Sequence, residues 1–177
     1  LILMVSVTIL GILGLLYLTI GRKYLEKLAT DPLTGLSNEQ SILSKIKKIK
    51  APYTGKVNAL ALFDVSNFTA VNETHGYNAG EITLMQVTEC LQQVTREKDL
   101  LGRIGANQFI ICLVNIEDKA ADELLSRVQR AIEDLSFKVG SETVDIRANM
   151  HIYSSDIALC DVDDLLSEIR QVSQKNK

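Results

Sequence analysis

Residues 59–81 read ALALFDVSNFTAVNETHGYNAGE, and this stretch is the clearest sequence indication of the fold class. Its first seven residues, Ala59–Val65, form an apolar run of strand length. Towards its end apolar residues begin to recur at helical spacing, which predicts a helix from about Asn78 to Glu97. The apolar positions of that helix are Leu84, Val87, Leu91 and Val94. A strand that leads into an amphipathic helix is expected where helices pack on a sheet.

The segments on either side alternate between strand and helix patterns. Leu100–Ile104 and Phe109–Val114 are predicted to be two strands around a tight turn at Gly105–Gln108. From Val144 to Ile152 apolar and polar residues alternate strictly, which predicts one antiparallel strand with one face more exposed to solvent than the other. Further amphipathic helices are predicted within 42–49, 124–135 and 162–172. The sequence therefore predicts an α+β domain in which helices cover a sheet with a central hairpin.

Residues 1–20 carry no charge and are long enough for a helix that spans a bilayer. A signal-peptide core and a buried soluble helix are the alternatives, but basic residues follow this run: Arg22, Lys23 and Lys27. We therefore predict a transmembrane helix at 1–20 and a connector helix at 21–30, with the following domain in the cytoplasm. The chain begins at Leu1, so we expect a fragment of a longer protein.

Composition excludes several classes of function. The net charge is −3 and aromatic residues make up 5% of the chain, which argues against nucleic-acid binding. Cys90, Cys112 and Cys160 are far apart and form no CxxC pair. We therefore expect reduced, buried thiols, with neither a disulfide framework nor a zinc site.

Three segments, in the right order, resemble the GGDEF (diguanylate cyclase) family of bacterial signalling domains. They are Asp31-Pro-Leu-Thr-Gly-Leu-Ser-Asn38, the stretch from Phe63 to Glu81, and Arg103-Ile-Gly-Ala-Asn-Gln-Phe109. The second resembles the family's DxDxFKxxNDxxGHxxGD segment, and the third stands where the family has its signature turn. The resemblance implies a GGDEF-type domain over 31–177, with a central, mostly antiparallel sheet flanked by helices.

The family condenses two GTP molecules into cyclic di-GMP with two divalent metal ions, which requires clustered carboxylates. By resemblance, Asp64 matches the first metal-binding acid. Other family positions are changed: Ser66 replaces the second acid, Thr69 a phosphate-contacting lysine, Ala106 a glycine, Asn107 the acid of the turn and Gln108 a glutamate. One acidic side chain does not hold two dications, so the sequence predicts a degenerate signature at Gly105–Phe109, no metal site and no enzymatic activity.

Two binding sites are implied by the resemblance. Asn72 and Glu81 match residues that contact guanine, and an amide with a carboxylate can read the guanine edge. Arg96 and Asp99 form an RxxD motif five residues before the turn, where the family has an inhibitory cyclic di-GMP site; Arg103 lies close enough to help. The alternative for Arg96 and Asp99 is an ion pair at a helix end.

The leading hypothesis is therefore a catalytically inactive receptor or regulator of cyclic di-GMP in the bacterial inner membrane. A second is a module of a larger membrane protein that acts by dimerisation or by docking, either to a phosphodiesterase domain or to another membrane complex; a variant of it is a GTP-binding regulator of such a domain. The expected partners are cyclic di-GMP, a second copy of the chain, or a signalling or secretion protein; GTP with Mg²⁺ is the alternative ligand. The third hypothesis is an active diguanylate cyclase.

Overall fold

The computed structural model describes residues 11–21, 28–156, 162, 164, 166 and 167. The five strands of the main sheet are β1 (Ser37–Asn38), β2 (Val57–Val65), β3 (Leu100–Arg103), β4 (Gln108–Ile116) and β7 (Ala148–Ser155). A separate hairpin consists of β5 (Ser136–Val139) and β6 (Glu142–Asp145). The helices are α1 at 11–21, α2 (Glu39–Ile46), α3 (Phe68–His75), α4 (Tyr77–Val94) and α5 (Asp118–Glu133).

The main sheet has the order β1-β3-β4-β2-β7. β1 runs parallel to β3, and the remaining pairs are antiparallel. The prediction of a mostly antiparallel sheet flanked by helices is therefore confirmed. β2 lies between β4 and β7, so the apolar run Ala59–Val65 belongs to a central strand of the sheet.

Both faces of β2 are buried, and this explains its unbroken apolar pattern. Ala59, Ala61 and Phe63 point into a core with α4 and α5, while Leu60 and Leu62 point into a second core with α2. A strand covered on both faces lacks the alternation of a half-exposed strand. Val162 and Leu166 pack in the second core, on the same side as α2.

α2 approaches the sheet closely at Gly102. Asn38 caps this helix by accepting a hydrogen bond from the Ser41 backbone N–H, at 3.0 Å. A Cβ on Gly102 would lie 2.7 Å from the Cβ of Ile42, which is closer than side chains pack. The absence of a side chain at position 102 therefore lets the buried face of α2 lie directly on β3.

The prediction of one strand from Val144 to Ile152 is wrong. The alternation continues along the chain, but the strand partner changes: β6 pairs with β5, whereas β7 pairs with β2. Ile146 and Arg147 lie between the two strands, and the Ile146 N–H donates to the carbonyl of Leu135. A period of two reports which side chains are buried and carries no information about the neighbouring strand.

The N-terminal predictions fall partly outside the described residues. Positions 1–10 of the predicted transmembrane helix and positions 22–27 of the predicted connector are not described. Among the helices that are described, none has the length and apolar character needed to cross a membrane.

Two of the three cysteines lie in the cores, as predicted. Cys90 and Cys112 are buried and unbridged, and Cys160 lies outside the described residues. Burial and, to a smaller extent, the negative charge of Asp99 raise the pKa of the Cys112 thiol to about 12. This thiol is therefore protonated at neutral pH and behaves as an apolar core group.

Candidate functional site

Asp64 lies at the end of β2, where two amide side chains hold its carboxylate. The residue is 2% exposed. Its Oδ1 accepts a hydrogen bond from Asn107 Nδ2 at 2.6 Å, and its Oδ2 accepts one from Gln108 Nε2 at 3.3 Å. Both donors come from the turn and the first residue of β4, because Asp64 and Gln108 are paired in the sheet. The three residues singled out at the signature turn and the preceding strand therefore form one cluster.

Asn107 also closes the turn against the strand. Its Nδ2 donates to the Val65 carbonyl at 2.9 Å, and its own carbonyl accepts from the Val65 N–H at 3.0 Å. Its amide nitrogen therefore stands against the carboxylate oxygen that a metal ion would need, and both of its protons are used.

The residues at this end of the sheet do not fit a pair of divalent cations. Within the described ranges, no three acidic, histidine or cysteine side chains are grouped so that they could hold a metal ion. Asp64 is the one carboxylate of the cluster, and amide donors take both of its oxygens. Divalent magnesium needs oxygen acceptors, whereas an N–H group oriented towards the site repels it. We therefore derive no catalytic step through metal ions here.

Ser66 stands where the resemblance has a second acid, and it bonds to backbone. Its N–H and its hydroxyl both donate to the Arg147 carbonyl, at 2.8 and 3.3 Å. The neighbouring Asn67 accepts from the Arg147 N–H and donates to the Asp145 carbonyl. These bonds tie the start of α3 to the segment between β6 and β7.

Arg103 braces the signature turn from the other side. Its guanidinium donates to the carbonyls of Gly105 and Ala106, at 3.1 and 2.7 Å, and to both carboxylate oxygens of Asp31. Its side chain is 14% exposed. The structure therefore uses Arg103 at the turn, at the opposite end of β3 from Arg96.

Asp31 is the site residue whose role the sequence did not reveal. Burial acts to raise the pKa of this carboxyl, but hydrogen bonds from the Thr34 hydroxyl and N–H, together with Arg103, outweigh burial and lower it. An Asp followed three residues later by Thr is a local turn signal, and this signal could have identified the loop. The partnership with a residue 72 positions away could not be read from it.

Asn72 and Glu81, the predicted guanine contacts, flank the turn between α3 and α4. The Asn72 side chain packs on Gly80, where any Cβ would overlap it, and its Oδ1 is buried without a hydrogen-bond partner. Glu81 is exposed on the first turns of α4. The two predicted guanine contacts therefore differ: Glu81 is exposed to solvent, whereas the Asn72 side-chain oxygen lies against Gly80.

Arg96 and Asp99 form a two-pronged ion pair. Nε of Arg96 donates to Oδ2 at 2.8 Å and Nη2 donates to Oδ1 at 2.9 Å, while the Arg96 backbone N–H also donates to Oδ2. Oδ1 accepts a further bond from the Val114 N–H. The Asp99 side chain is 0% exposed and that of Arg96 is 39% exposed. The pair lies just before β3, and its exposed member is the arginine.

Comparison with known proteins gives one consistent result. The family described as "Diguanylate cyclase, GGDEF domain" matches residues 28–177. Diguanylate cyclase DgcP of Escherichia coli is 28% identical over an alignment of 148 residues, and the match covers 73% of this chain and 43% of that protein. The chain therefore spans less than half the length of this curated relative.

Two solved structures share the fold. The diguanylate cyclase SiaD of Pseudomonas aeruginosa, solved with its activator SiaC, superposes with a TM-score of 0.70 at 26% identity, over 88% of this chain and 62% of that one. The GGDEF domain of DgcB from Caulobacter crescentus, solved in complex with c-di-GMP, gives 0.66 at 20% identity, over 72% and 77%.

These names correct one prediction. The sequence led us to expect a protein that is not an enzyme, and this expectation is contradicted by relatives that are named diguanylate cyclases. The changed residues at positions 106–108 stand as described, but they do not decide whether the chain is an enzyme.

Proposed function

This chain belongs to the GGDEF family of diguanylate cyclase domains, and on that premise we propose that it binds cyclic di-GMP through Arg96. The observation that carries the proposal is the fixed, exposed guanidinium of Arg96 five residues before the signature turn. The DgcB domain, which has the same fold, was solved with this nucleotide.

The geometry of Arg96 suits an anionic, hydrogen-bonding ligand. Asp99 occupies Nε and one edge of Nη2, so Nη1 and the outer edge of Nη2 keep their N–H groups for other acceptors. A guanidinium edge can donate to guanine O6 and N7 or to a phosphate. Because Asp99 already fixes the side chain, little rotamer freedom is lost when the ligand binds.

The structure changes the roles we assign to the predicted residues. Asp99 is buried beneath Arg96, so we assign it the positioning of the arginine and no contact with the ligand. Arg103 is bound to Asp31 and to the turn, so we propose that it holds the turn in place. The ion pair and the ligand contact, which were alternatives for the RxxD motif, are compatible in this arrangement.

Calorimetry with the full 177-residue chain tests the proposal. We expect cyclic di-GMP to bind, and Arg96→Ala to weaken binding by about 10- to 100-fold, the effect of losing a charged hydrogen bond. Arg96→Lys keeps a positive charge beside Asp99 but lacks the paired N–H donors of a guanidinium. It should weaken binding nearly as much as Arg96→Ala. Arg130→Ala, on the exposed face of α5, is the matched control and should bind as the unchanged chain does.

Two results would refute this proposal. One is the absence of binding at a ligand concentration on the order of 100 µM. The other is binding that Arg96→Lys and Arg130→Ala leave equally strong. Thermal unfolding of each variant shows whether the fold is retained, because Arg96→Ala removes the positive charge that pairs with the buried Asp99 carboxylate.

The names of the relatives favour a second candidate function, the synthesis of cyclic di-GMP from GTP. Asp64 is the carboxylate that matches the family's first metal-binding acid, and it is held in place at the end of β2. If this chain is a cyclase, Asp64→Asn should abolish product formation from GTP with Mg²⁺ or Mn²⁺, because the charge that attracts the cation is lost.

Chromatographic detection of cyclic di-GMP measures that activity. Product that forms with the unchanged chain and disappears with Asp64→Asn establishes synthesis. Asp122→Asn, an exposed change on α5, is the control and should leave product formation unchanged. No product from the unchanged chain at any divalent cation rejects this second function.

The proposal includes attachment to the cytoplasmic membrane through residues 1–20. It rests on the absence of charge in that run and on the basic residues that follow it. In this arrangement the domain faces the cytoplasm, where the nucleotide is found.

A further inference from the structure

A basic cleft lies at the end of the sheet opposite Asp64. It has a volume of about 560 Å³ and is formed by the end of α2, the loop that follows, the first residue of β3 and the last residues of β4. Asn58, near the start of β2, lies at its base, whereas Asp64 lies near the end of the same strand. The cleft is therefore separate from the cluster at the signature turn.

The lining of this cleft is strongly positive. Four lysines border it and none of its lining residues is acidic, although the whole chain has a net charge of −3. Within the described part of the chain, the ammonium groups of Lys48, Lys50 and Lys98 form no ion pair. Lys45 donates to the Ser37 hydroxyl at 2.8 Å, which leaves two of its N–H groups for a ligand. Like charges brought together in this way repel one another, and a bound anion relieves the repulsion.

Side-chain hydrogen bonds hold the wall of the cleft in place. Asn58 is fully buried; its Nδ2 donates to the Lys50 carbonyl at 3.0 Å, and its Oδ1 accepts from the Asn115 N–H at 3.0 Å. Asn115 adopts a left-handed backbone conformation, with φ 52°, and its side chain accepts from the Tyr53 N–H. Asparagine tolerates this conformation better than most residues. The loop from Lys50 to Tyr53 is thus fixed to the end of the sheet before any ligand binds.

The floor and rim of the cleft offer apolar and aromatic surface. Ile49, Leu100 and Val114 are half-buried and contribute to the floor. Tyr53 is 77% exposed at the rim. An exposed aromatic ring beside a concave apolar floor is suited to a planar group, which stacks on the ring and leaves its charged part with the lysines.

We propose that this cleft binds a linear nucleoside polyphosphate, with the phosphates on the lysines and the base against Tyr53. A triphosphate chain carries a charge on each phosphate and a further charge at its end, so it matches several ammonium groups. A cyclic dinucleotide carries one charge on each phosphodiester and matches fewer of them. Lysines bind phosphate as flexible point charges, so recognition depends on charge and is sensitive to salt. This site does not depend on the binding of cyclic di-GMP at Arg96.

Fluorescence anisotropy with labelled ATP, and calorimetry with ATP and inorganic tripolyphosphate, test the proposal on the full chain. We expect Lys48→Glu combined with Lys50→Glu, two exposed lysines of the cleft outside the RxxD motif, to weaken the binding of both ligands by about tenfold or more. Lys119→Glu combined with Lys138→Glu makes the same charge change at exposed positions on α5 and β5, and it should have little effect. Tyr53→Ala should weaken ATP but leave tripolyphosphate binding unchanged.

The same variants separate this site from the one at Arg96. Arg96→Lys should weaken cyclic di-GMP and leave ATP binding unchanged, and the double lysine variant should do the reverse. The proposal is overturned if ATP does not bind at about 1 mM, or if the two double variants weaken ATP equally. It is also overturned if the chain binds vesicles of phosphatidylglycerol through these lysines but does not bind ATP.

Discussion

Replacing Phe109 by alanine is expected to lower the free energy of unfolding by about 3–5 kcal/mol. Phe109 is 0% exposed and lies directly opposite Phe63, which is also fully buried, in the β2–β4 pair. Its other neighbour in the sheet is Arg103 of β3. Truncation removes a large apolar side chain and leaves a cavity that well-packed neighbours on both strands cannot fill.

Urea denaturation followed by circular dichroism measures this loss. Phe137→Ala is the matched control, because Phe137 on β5 is half-buried at the margin of the core and should cost roughly half as much or less. Equal losses for the two variants, or a loss below about 1.5 kcal/mol for Phe109→Ala, would contradict the prediction. The effect also bears on the site, because Phe109 anchors the strand that begins with Gln108 and follows Asn107.

Much of the fold could be predicted because its core elements carry strong local patterns. The run at 59–65 lies in a central strand, and two strands form around the signature turn with bounds one or two residues from those predicted. α4 and α5 begin and end within a few residues of their predicted limits or extend beyond them. These elements have one dominant buried surface each, so the spacing of apolar residues is enough to define them.

The hairpin of β5 and β6 could not be predicted in the same way. β5 (Ser136–Val139) has only alternate half-buried residues, and β6 contributes Val144 to a small separate core. Each of these short strands is stabilised by pairing with the other. The choice of strand partner depends on the tertiary structure, which local alternation does not encode. The alternating pattern therefore predicts a single strand where the structure has β6 and β7.

The sequence could predict which residues form the candidate site, but it could predict fewer of the hydrogen bonds between them. Asp64, Asn107 and Gln108 were singled out from their positions, and the structure brings them together. That the amides donate to the acid follows from the pairing of β2 with β4, which sequence spacing does not contain. The sequence predicts that Arg103 lies close enough to help Arg96, but β3 extends between them and carries the two side chains to opposite ends of the strand.

Replacing Asn107 by aspartate is expected to make the stability of the domain depend on divalent cations. In the chain as it stands, an amide N–H points at Asp64 Oδ1 from 2.6 Å. The substitution removes that donor and the bond to the Val65 carbonyl, and it puts a second carboxylate oxygen in its place. Lost hydrogen bonds to a charged group and like-charge repulsion together should destabilise the domain by about 2–4 kcal/mol in the presence of EDTA.

Thermal unfolding with and without MnCl₂ or MgCl₂ measures this dependence. At a concentration of about 100 times its dissociation constant, a cation that binds the two carboxylates should restore about 2.7 kcal/mol of the free energy of unfolding. The unchanged chain should unfold at the same temperature with either salt or with EDTA. Asn78→Asp, an exposed change on α4, is the control and should show no cation effect. Asn107→Ala removes the donor without adding charge, so it should be destabilised but not rescued. If the unchanged chain itself gained stability from the cation, Asp64 would bind metal despite its amide partners. A single carboxylate would then be enough to begin assembling the metal site, and the synthesis of cyclic di-GMP would become the favoured function.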